Sequence, residues 1–466
     1  MESMESKENE IRLIVEHTYG TWRAQKAWKS PIFVTKAEGV YFWDHTGKKY
    51  LDFSSQLMCS NLGHGNKAII NAICEQAQKL PYVAPGFIDE SKAKAVKALL
   101  EVMPEGLEEY FFSTSGTEAN EAAVKIARLY FEKEGKYKII SRYHSYHGAT
   151  AVSVTLTGDP RRWWAERART TITGVRHAPD SYCYRCPFGL KYPDCDLACG
   201  RYLDYMIKEE GNVAAVLLEP VVGTNGIIVP PKEYYKMVRE ICDENDVLFI
   251  VDEVMSGWYR TGKPFAIEHW GVTPDILTTA KGASGAYIPL GVTATTKKIR
   301  DYFEENVLSH GHTYAHHPLT LSALPAAVEE YKKLFESGKP QEVSEYLGKR
   351  LYELAEDHPC VGDVRGIGHF WALETVKNRK TKEPFNVKSD KYIKPLMNDK
   401  IAAEAMKRGL YVVDWYIQLL IAPPLIITKE QVDEAIEILD EALKVADKEA
   451  EKVDVPPSKS SEGIVY

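Results

Sequence analysis

The chain has 466 residues, 44% of them hydrophobic, enough to bury a large core that divides into two lobes. Its 58 Lys and Arg stand against 66 Asp and Glu, a formal net charge of -8 mixed along the chain, which disfavours a nucleic-acid role. Met1 to Lys7 carries neither a basic nor an apolar stretch, and no later run is long and apolar enough to cross a bilayer, so a cytoplasmic location and no membrane partner are expected. The wealth of Lys and Glu fits a heat-adapted, thermostable protein and many mesophilic ones as well.

In chain order, residues 1–70 differ in character from the central part of the chain, with Val40-Tyr-Phe-Trp43 leading into the turn Asp44-His-Thr-Gly47. From Glu109 the pattern becomes strand, turn, helix: Tyr110 to Ser113, then Thr114 to Asn120, then Ala122, Val124, Ile126, Ala127 and Leu129 at helical spacing. Further strands are expected at 138–141, 213–218, 247–251 and 276–277, with a helix over 231–245. Most are wholly apolar, the mark of parallel strands buried on both faces. Charged amphipathic helices come near 342–357 and 429–452. Residues 454–466, with Pro456-Pro457 and a Ser/Lys cluster, read as a mobile tail. The expected organisation is a large lobe over 71–328 and a smaller one built from 1–70 and 329–453.

Four features carry chemistry. Lys281 lies in Pro274-Asp-Ile-Leu-Thr-Thr-Ala-Lys-Gly282, just past an apolar run; alone it reads as a surface lysine, but a lysine held where its amine can lose charge can condense with an aldehyde. Asp252 ends the apolar run before it and must be desolvated, which is costly unless it faces a positive partner such as a protonated ring nitrogen. Ser113-Thr-Ser-Gly-Thr-Glu-Ala-Asn120 joins strand to helix: its hydroxyls and free amides suit an anion, and equally it reads as a plain helix cap with Glu118 completing a capping box. Tyr143-His-Ser-Tyr-His-Gly148 offers rings for stacking beside a glycine, or ordinary packing. In this order the four suggest pyridoxal phosphate chemistry.

The set Ser115-Gly-Thr117, Tyr146-His-Gly148, Glu219-Pro220, Asp252-Glu-Val254 and Lys281 resembles the class III pyridoxal-phosphate aminotransferases, with agreement from about Trp22 to about Asp440. The resemblance implies an α/β chain of the aspartate-aminotransferase type, fold type I, with a mostly parallel sheet in a large domain and a small α+β domain drawn from both chain ends. It implies pyridoxal 5'-phosphate as cofactor and a homodimer, or a tetramer of dimers, with shared active sites. Lys281 would hold the cofactor covalently and carry the proton, and Asp252 would keep the ring nitrogen protonated. Tyr146 and Val254 would cover the ring faces, and Ser115, Gly116 and Thr117 would bind the phosphate with Thr313 of a second subunit. Glu219 would lie near the cofactor, or else make a structural ion pair.

For substrates the resemblance is to the taurine and amine:pyruvate members. Ornithine-type relatives carry a second acid after Glu219-Pro220, absent here in Val221-Val-Gly-Thr-Asn-Gly226, and Tyr411 to Pro424 lacks the arginine of amine:pyruvate relatives. Arg162 with Trp22 would then clamp a sulfonate or carboxylate, although Arg161 and Arg162 read equally as surface charges at a helix start. Leu57, Met58, Phe87 and Tyr146 would line the rest with apolar surface. The implied activity is transfer of an amino group from a primary amine or omega-amino acid, taurine-like donors included, to pyruvate or 2-oxoglutarate. The alternatives are a racemase or aminomutase of the same fold and a non-enzymatic assembly protein. Cys183, Cys186, Cys195 and Cys199 form two close pairs in one insertion; metal binding, disulfides and free thiols stay open, and no metal is assigned to the site.

Overall fold

The computed structural model describes residues 4–462. A seven-stranded sheet runs in spatial order Leu107–Ser113, Gly291–Thr296, Ile276–Thr279, Leu248–Asp252, Val213–Leu218, Lys138–Arg142 and Val175–Ala178. Gly291–Thr296 is antiparallel to both neighbours, and the other six strands point one way. The interior strand Val213–Leu218 is buried at every residue, which explains its unbroken apolar sequence. Each Val or Leu removed from water there contributes roughly 1.5–3 kcal/mol before entropy is counted.

The expected strands all form, at 107–113, 138–142, 213–218, 248–252 and 276–279. Two more were not apparent in the sequence. Gly291-Val-Thr-Ala-Thr-Thr296 is rich in threonine and lacks an apolar run, yet all but Thr296 are buried because the strand sits between two others. Val175-Arg-His-Ala178 is an edge strand, where polar side chains are tolerated.

Both chain ends build two smaller sheets. Val34–Glu38, Tyr41–Asp44 and Lys49–Asp52 form an antiparallel meander whose last strand pairs in parallel with Leu410–Tyr411. Val361–Ile367, Phe370–Thr375, Gln418–Ile421 and Val413–Trp415 make the other. Helices Lys339–Asp357 and Lys429–Asp447 cover them with stripes at helical spacing, Val343, Leu347, Leu351 and Leu354 on one and Val432, Ile436, Leu439 and Leu443 on the other. Thr428 starts the second of these helices in a capping box with Gln431. Positions 70 and 328, expected as boundaries, fall inside the helices Lys67–Lys79 and Ala323–Glu336.

The tail departs from expectation. Ser458 N donates to Gly362 O at 2.8 Å, Val364 N donates to Ser458 O at 2.9 Å, and the Ser461 hydroxyl bonds Gly366 on both its N and O. Val361–Ile367 is an edge strand with spare backbone groups, and residues 458–461 satisfy them. Residues 463–466 of the expected tail lie outside the described residues. Among those described, no helix is long and apolar enough to cross a membrane.

Candidate active site

The carboxyl ends of the co-directed strands converge on one cavity of about 420 Å³. Ser115, Gly116, Thr117, Tyr146, Glu219, Asp252, Val254 and Lys281 all line it. The eight come from five chain segments, so their meeting is a consequence of the sheet order and not of sequence proximity.

Strand Leu107–Ser113 hands over to helix Gly116–Tyr130 at Ser115, whose side chain accepts from Glu118 N at 3.2 Å. The Glu118 carboxylate folds back to accept from Thr114 N at 2.7 Å and from the Thr114 hydroxyl at 2.6 Å. The capped helix and the anion cup are therefore one structure: capping fixes the turn, and the first helical amides lack intrahelical acceptors and face the cavity end. A Cβ at Gly116 would come within 2.7 Å of both Val254 methyls, so only glycine allows this turn to approach Val254.

Asp252 ends its strand almost fully buried. Oδ2 accepts from Asn120 Nδ2 at 2.8 Å and pairs with His147 Nδ1 at 2.7 Å, and Oδ1 accepts from Val254 N at 2.9 Å. Asn120 in turn donates to His147 O and accepts from the Thr278 hydroxyl, and His147 Nε2 lies 3.1 Å from Ser141 Oγ. These partners fix the carboxylate against the cavity. Asn120 and His147 both lie in the loop motifs quoted from the sequence, yet the sequence gives neither of them a role. One signal was available: Asn120 is a lone buried amide on a helix face otherwise made of Ala119, Ala122 and Ala123.

Lys281 follows strand Ile276–Thr279 in the left-handed region, φ 45°, and its amine donates to Leu57 O at 2.9 Å. Burial holds its pKa below the ordinary lysine value. Among the described residues Glu219 has no ion-pair partner. Its oxygens accept from Tyr146 N at 3.0 Å and Gly223 N at 2.7 Å, and burial, with Asp252 nearby, pushes its pKa up to about 7. Glu253, behind the site, accepts from the Ser256 hydroxyl and Ile267 N and is likewise pushed up to about 7 by burial.

The residues expected around the substrate are more dispersed. Trp22 stands edge-on to Tyr146 with ring centres 6.4 Å apart. Arg161, rather than Arg162, reaches these rings: its guanidinium lies 3.6 Å from the Tyr146 ring centre, 4.4 Å from Trp415 and 5.7 Å from Trp22. Arg161 is tied to buried Asp159, which also accepts from Asn225 Nδ2. Arg162 points one turn along helix Pro160–Arg167 and pairs with Glu166. Leu57 and Phe87 are exposed. Met58 does not line the cavity: it is buried in the main core, turned inward by its left-handed backbone, φ 52°.

Thr313 is exposed and off this chain's own cavity, its carbonyl accepting from the Tyr82 hydroxyl at 3.0 Å. All eight cysteines are free thiols. Cys183, Cys186, Cys195 and Cys199 surround one small cavity, and burial pushes Cys183 up to about 12 and Cys199 up to about 11. Among the described residues no group of three or more His, Cys, Asp or Glu is arranged to hold a metal ion.

The family model described as "Aminotransferase class-III" matches residues 23–443. A putrescine–pyruvate aminotransferase of Pseudomonas aeruginosa is 36% identical over 89% of this chain and 91% of that protein. A leucine/methionine racemase of Thermococcus litoralis is 34% identical over 90% and 92%. Among solved structures, a taurine:2-oxoglutarate aminotransferase of Bifidobacterium kashiwanohense, in complex with PLP and glutamate, superimposes with a TM-score of 0.89 at 37% identity, covering 96% of this chain and 99% of that one.

Proposed function

The chain belongs to the class-III aminotransferases, enzymes that use pyridoxal 5'-phosphate, and from that premise we propose that it moves an amino group from a primary amine or omega-amino acid, taurine-like donors included, to pyruvate or 2-oxoglutarate. The observation that carries the reading is the convergence of Lys281, Asp252 and the Ser115–Thr117 turn on one cavity beside Tyr146 and an arginine. The residues fit the cofactor: an amine at Lys281, a carboxylate at Asp252 and a helix amino terminus at Gly116.

When bound, the cofactor supplies an electron sink for the bonds at the substrate's amino carbon. Lys281 would be the attachment point, and its amine, when not so linked, would carry the proton at the substrate's amino carbon. Its lowered pKa favours the neutral form that can accept one. Asp252, held by Asn120, His147 and Val254 N, would present its carboxylate to the ring nitrogen. Ser115, Gly116 and Thr117 would hold the phosphate at the helix end. Tyr146 and Val254 would flank the ring. Glu219 holds the Tyr146 loop and the 221–226 loop together through its two amide bonds.

For the acid group of the donor or acceptor, the proposal passes from Arg162 to Arg161. Both arginines are paired with an acid, Arg161 with Asp159 and Arg162 with Glu166, but Arg161 is the one that lies against Tyr146 and near Trp22. Exposed Thr313, with the exposed rings of Tyr82 and Tyr314 beside it, supports a second copy of the chain reaching across to this cavity. A donor and acceptor panel on the purified holoenzyme tests the reading: one keto acid consumed for each amine converted is expected. A second reading, racemisation, is favoured by the similarity to the Thermococcus litoralis racemase. It predicts inversion of an amino acid with no keto acid required, and that result would displace the first reading.

A further inference from the structure

Asp52 closes strand Lys49–Asp52 fully buried, and the proposed chemistry gives it no task. Its oxygens serve one short segment. Oδ1 accepts from Ser54 N at 3.3 Å and from Gln56 N at 2.9 Å; Oδ2 lies 2.9 Å from both Gln56 N and Gln56 Nε2, with His64 Nε2 at 3.6 Å.

The segment so held is strained. Ser55, Gln56 and Met58 have φ of 46°, 59° and 52°, a left-handed region that side-chain-bearing residues enter only when their surroundings over-determine it. The other side of the segment is clamped too. The Ser54 hydroxyl donates to Leu420 O at 2.6 Å and the Ser55 hydroxyl to Ala422 O at 2.7 Å, while Arg260 Nη2 donates to Ser55 Oγ at 3.1 Å. What this arrangement delivers is a single carbonyl, Leu57 O, placed 2.9 Å from the Lys281 amine, itself carried on a left-handed residue.

We propose that Ser55–Met58, held in its left-handed turn by Asp52, is a positioning device for Lys281: the Leu57 carbonyl accepts an N–H of the lysine amine whenever that amine is not covalently linked. A carbonyl takes a proton donor and leaves the nitrogen lone pair free, so the amine is kept in place without being quenched as a base. The gain is orientation at the step where the donor has displaced the lysine and the amine must find the substrate carbon. This rests on Lys281 being the attachment residue.

The test is competitive acetylation of the cofactor-free protein across a pH series, with each lysine quantified by mass spectrometry. In Asp52→Asn, where an amide NH2 opposes Gln56 N–H, Lys281 is expected to label about tenfold faster than in wild type, the scale of one lost bond to a charged group. Its pH profile should shift while the other lysines stay unchanged. With cofactor added, turnover should fall with little change in KM for the donor. If Asp52→Asn fails to fold, Gln56→Ala removes only the Nε2 bond and should move Lys281 labelling in the same direction by roughly twofold to threefold, a part of one hydrogen bond's worth. A folded variant with the wild-type rate and profile at Lys281 overturns the proposal. Borohydride reduction of the wild-type holoenzyme followed by peptide mapping keeps the two readings apart: label on another lysine defeats the attachment role, whatever the acetylation series gives.

Discussion

Ser115, Asp252 and Lys281 line the cavity from the carboxyl ends of three strands of one sheet; Trp22, Leu57 and Phe87, expected around the substrate, stand in non-strand segments outside its lining and are 46%, 61% and 64% exposed. The first set is tied down inside a single chain, Asp252 by three donors and Ser115 by its helix. The second has few ties within the chain. A cofactor that every reaction cycle reuses needs fixed geometry, and a substrate that changes from one enzyme to the next needs a rim that can change without disturbing the sheet.

The largest effect expected from breaking the inner end is at Lys281. Lys281→Ala removes the attachment amine and the proton carrier together, so turnover should fall to near background while cofactor still binds through the Ser115–Thr117 turn. Single-turnover kinetics and borohydride trapping measure both, and normal turnover would refute the role. Asp252→Asn should come next, at about a hundredfold in kcat, within the range for a positioned charge. Cofactor affinity should change less. Equal rates for wild type and variant would show that Asp252 does not face the ring nitrogen.

The inner end also makes charge expensive, and that is readable in stability. Glu253 has a folded-state pKa of about 7 against an ordinary 4.5, so the folded protein binds more protons than the unfolded chain between those values. Its contribution to stability is therefore lost as pH rises from about 4.5 to about 7 and is flat beyond. Gln at this position resembles the protonated acid and can donate to Ser256 Oγ, so Glu253→Gln should remove a decline of roughly 2–3 kcal/mol. Glu219 has the same direction and will leave part of the slope in place. Urea midpoints at pH 5 and pH 8 for both proteins check this; an unchanged difference between the two pH values would contradict it.

At the rim the test is a contrast between neighbours. Arg161→Ala should weaken a donor or acceptor bearing an acid group by roughly tenfold to a hundredfold, the scale of about 1.5–3 kcal/mol for a charge-assisted bond. A neutral amine in its own half-reaction should be affected less. Arg162→Ala should leave that ratio near wild type, because it is Arg161 that lies over the Tyr146 ring while Arg162 pairs with Glu166 one turn along the helix. The opposite ranking would return the assignment to Arg162.

The same division explains what could be read from the sequence. Val213–Leu218 and Leu248–Asp252 are apolar at almost every position because both faces are covered, and a turn such as Ser115-Gly-Thr117 obeys local rules of capping. These were legible. Gly291–Thr296 was not, since its burial comes from being flanked on both sides, by the nearby Ile276–Thr279 and by the distant Leu107–Ser113. His147 was hidden for the same reason: its partner Asp252 lies 105 residues away, and only the sheet brings them together. Arg161 and Arg162 are adjacent and chemically alike; Asp159, at the start of their helix, is what draws one of them inward. Residues 458–461 read as part of a mobile tail because backbone pairing leaves no trace in side-chain composition.

The smallest expected effect belongs to Thr313, and it bears on whether the inner end is complete within one chain. Thr313 is exposed and its carbonyl accepts from the Tyr82 hydroxyl, and Tyr314 beside it packs edge-on to Tyr82 with 58% of its surface open. If a second copy brings Thr313 to this cavity, its hydroxyl adds one donor to a phosphate already held by the helix terminus. Losing that donor should cost about 0.5–1.5 kcal/mol, roughly a threefold to tenfold weaker cofactor affinity in Thr313→Ala. Dilution should release cofactor in step with dissociation, because a site finished by a neighbour is stabilised by mass action. Sedimentation velocity with absorbance of the bound cofactor reads both at once. A monomer that keeps its cofactor at wild-type affinity would show that the inner end needs nothing from a partner.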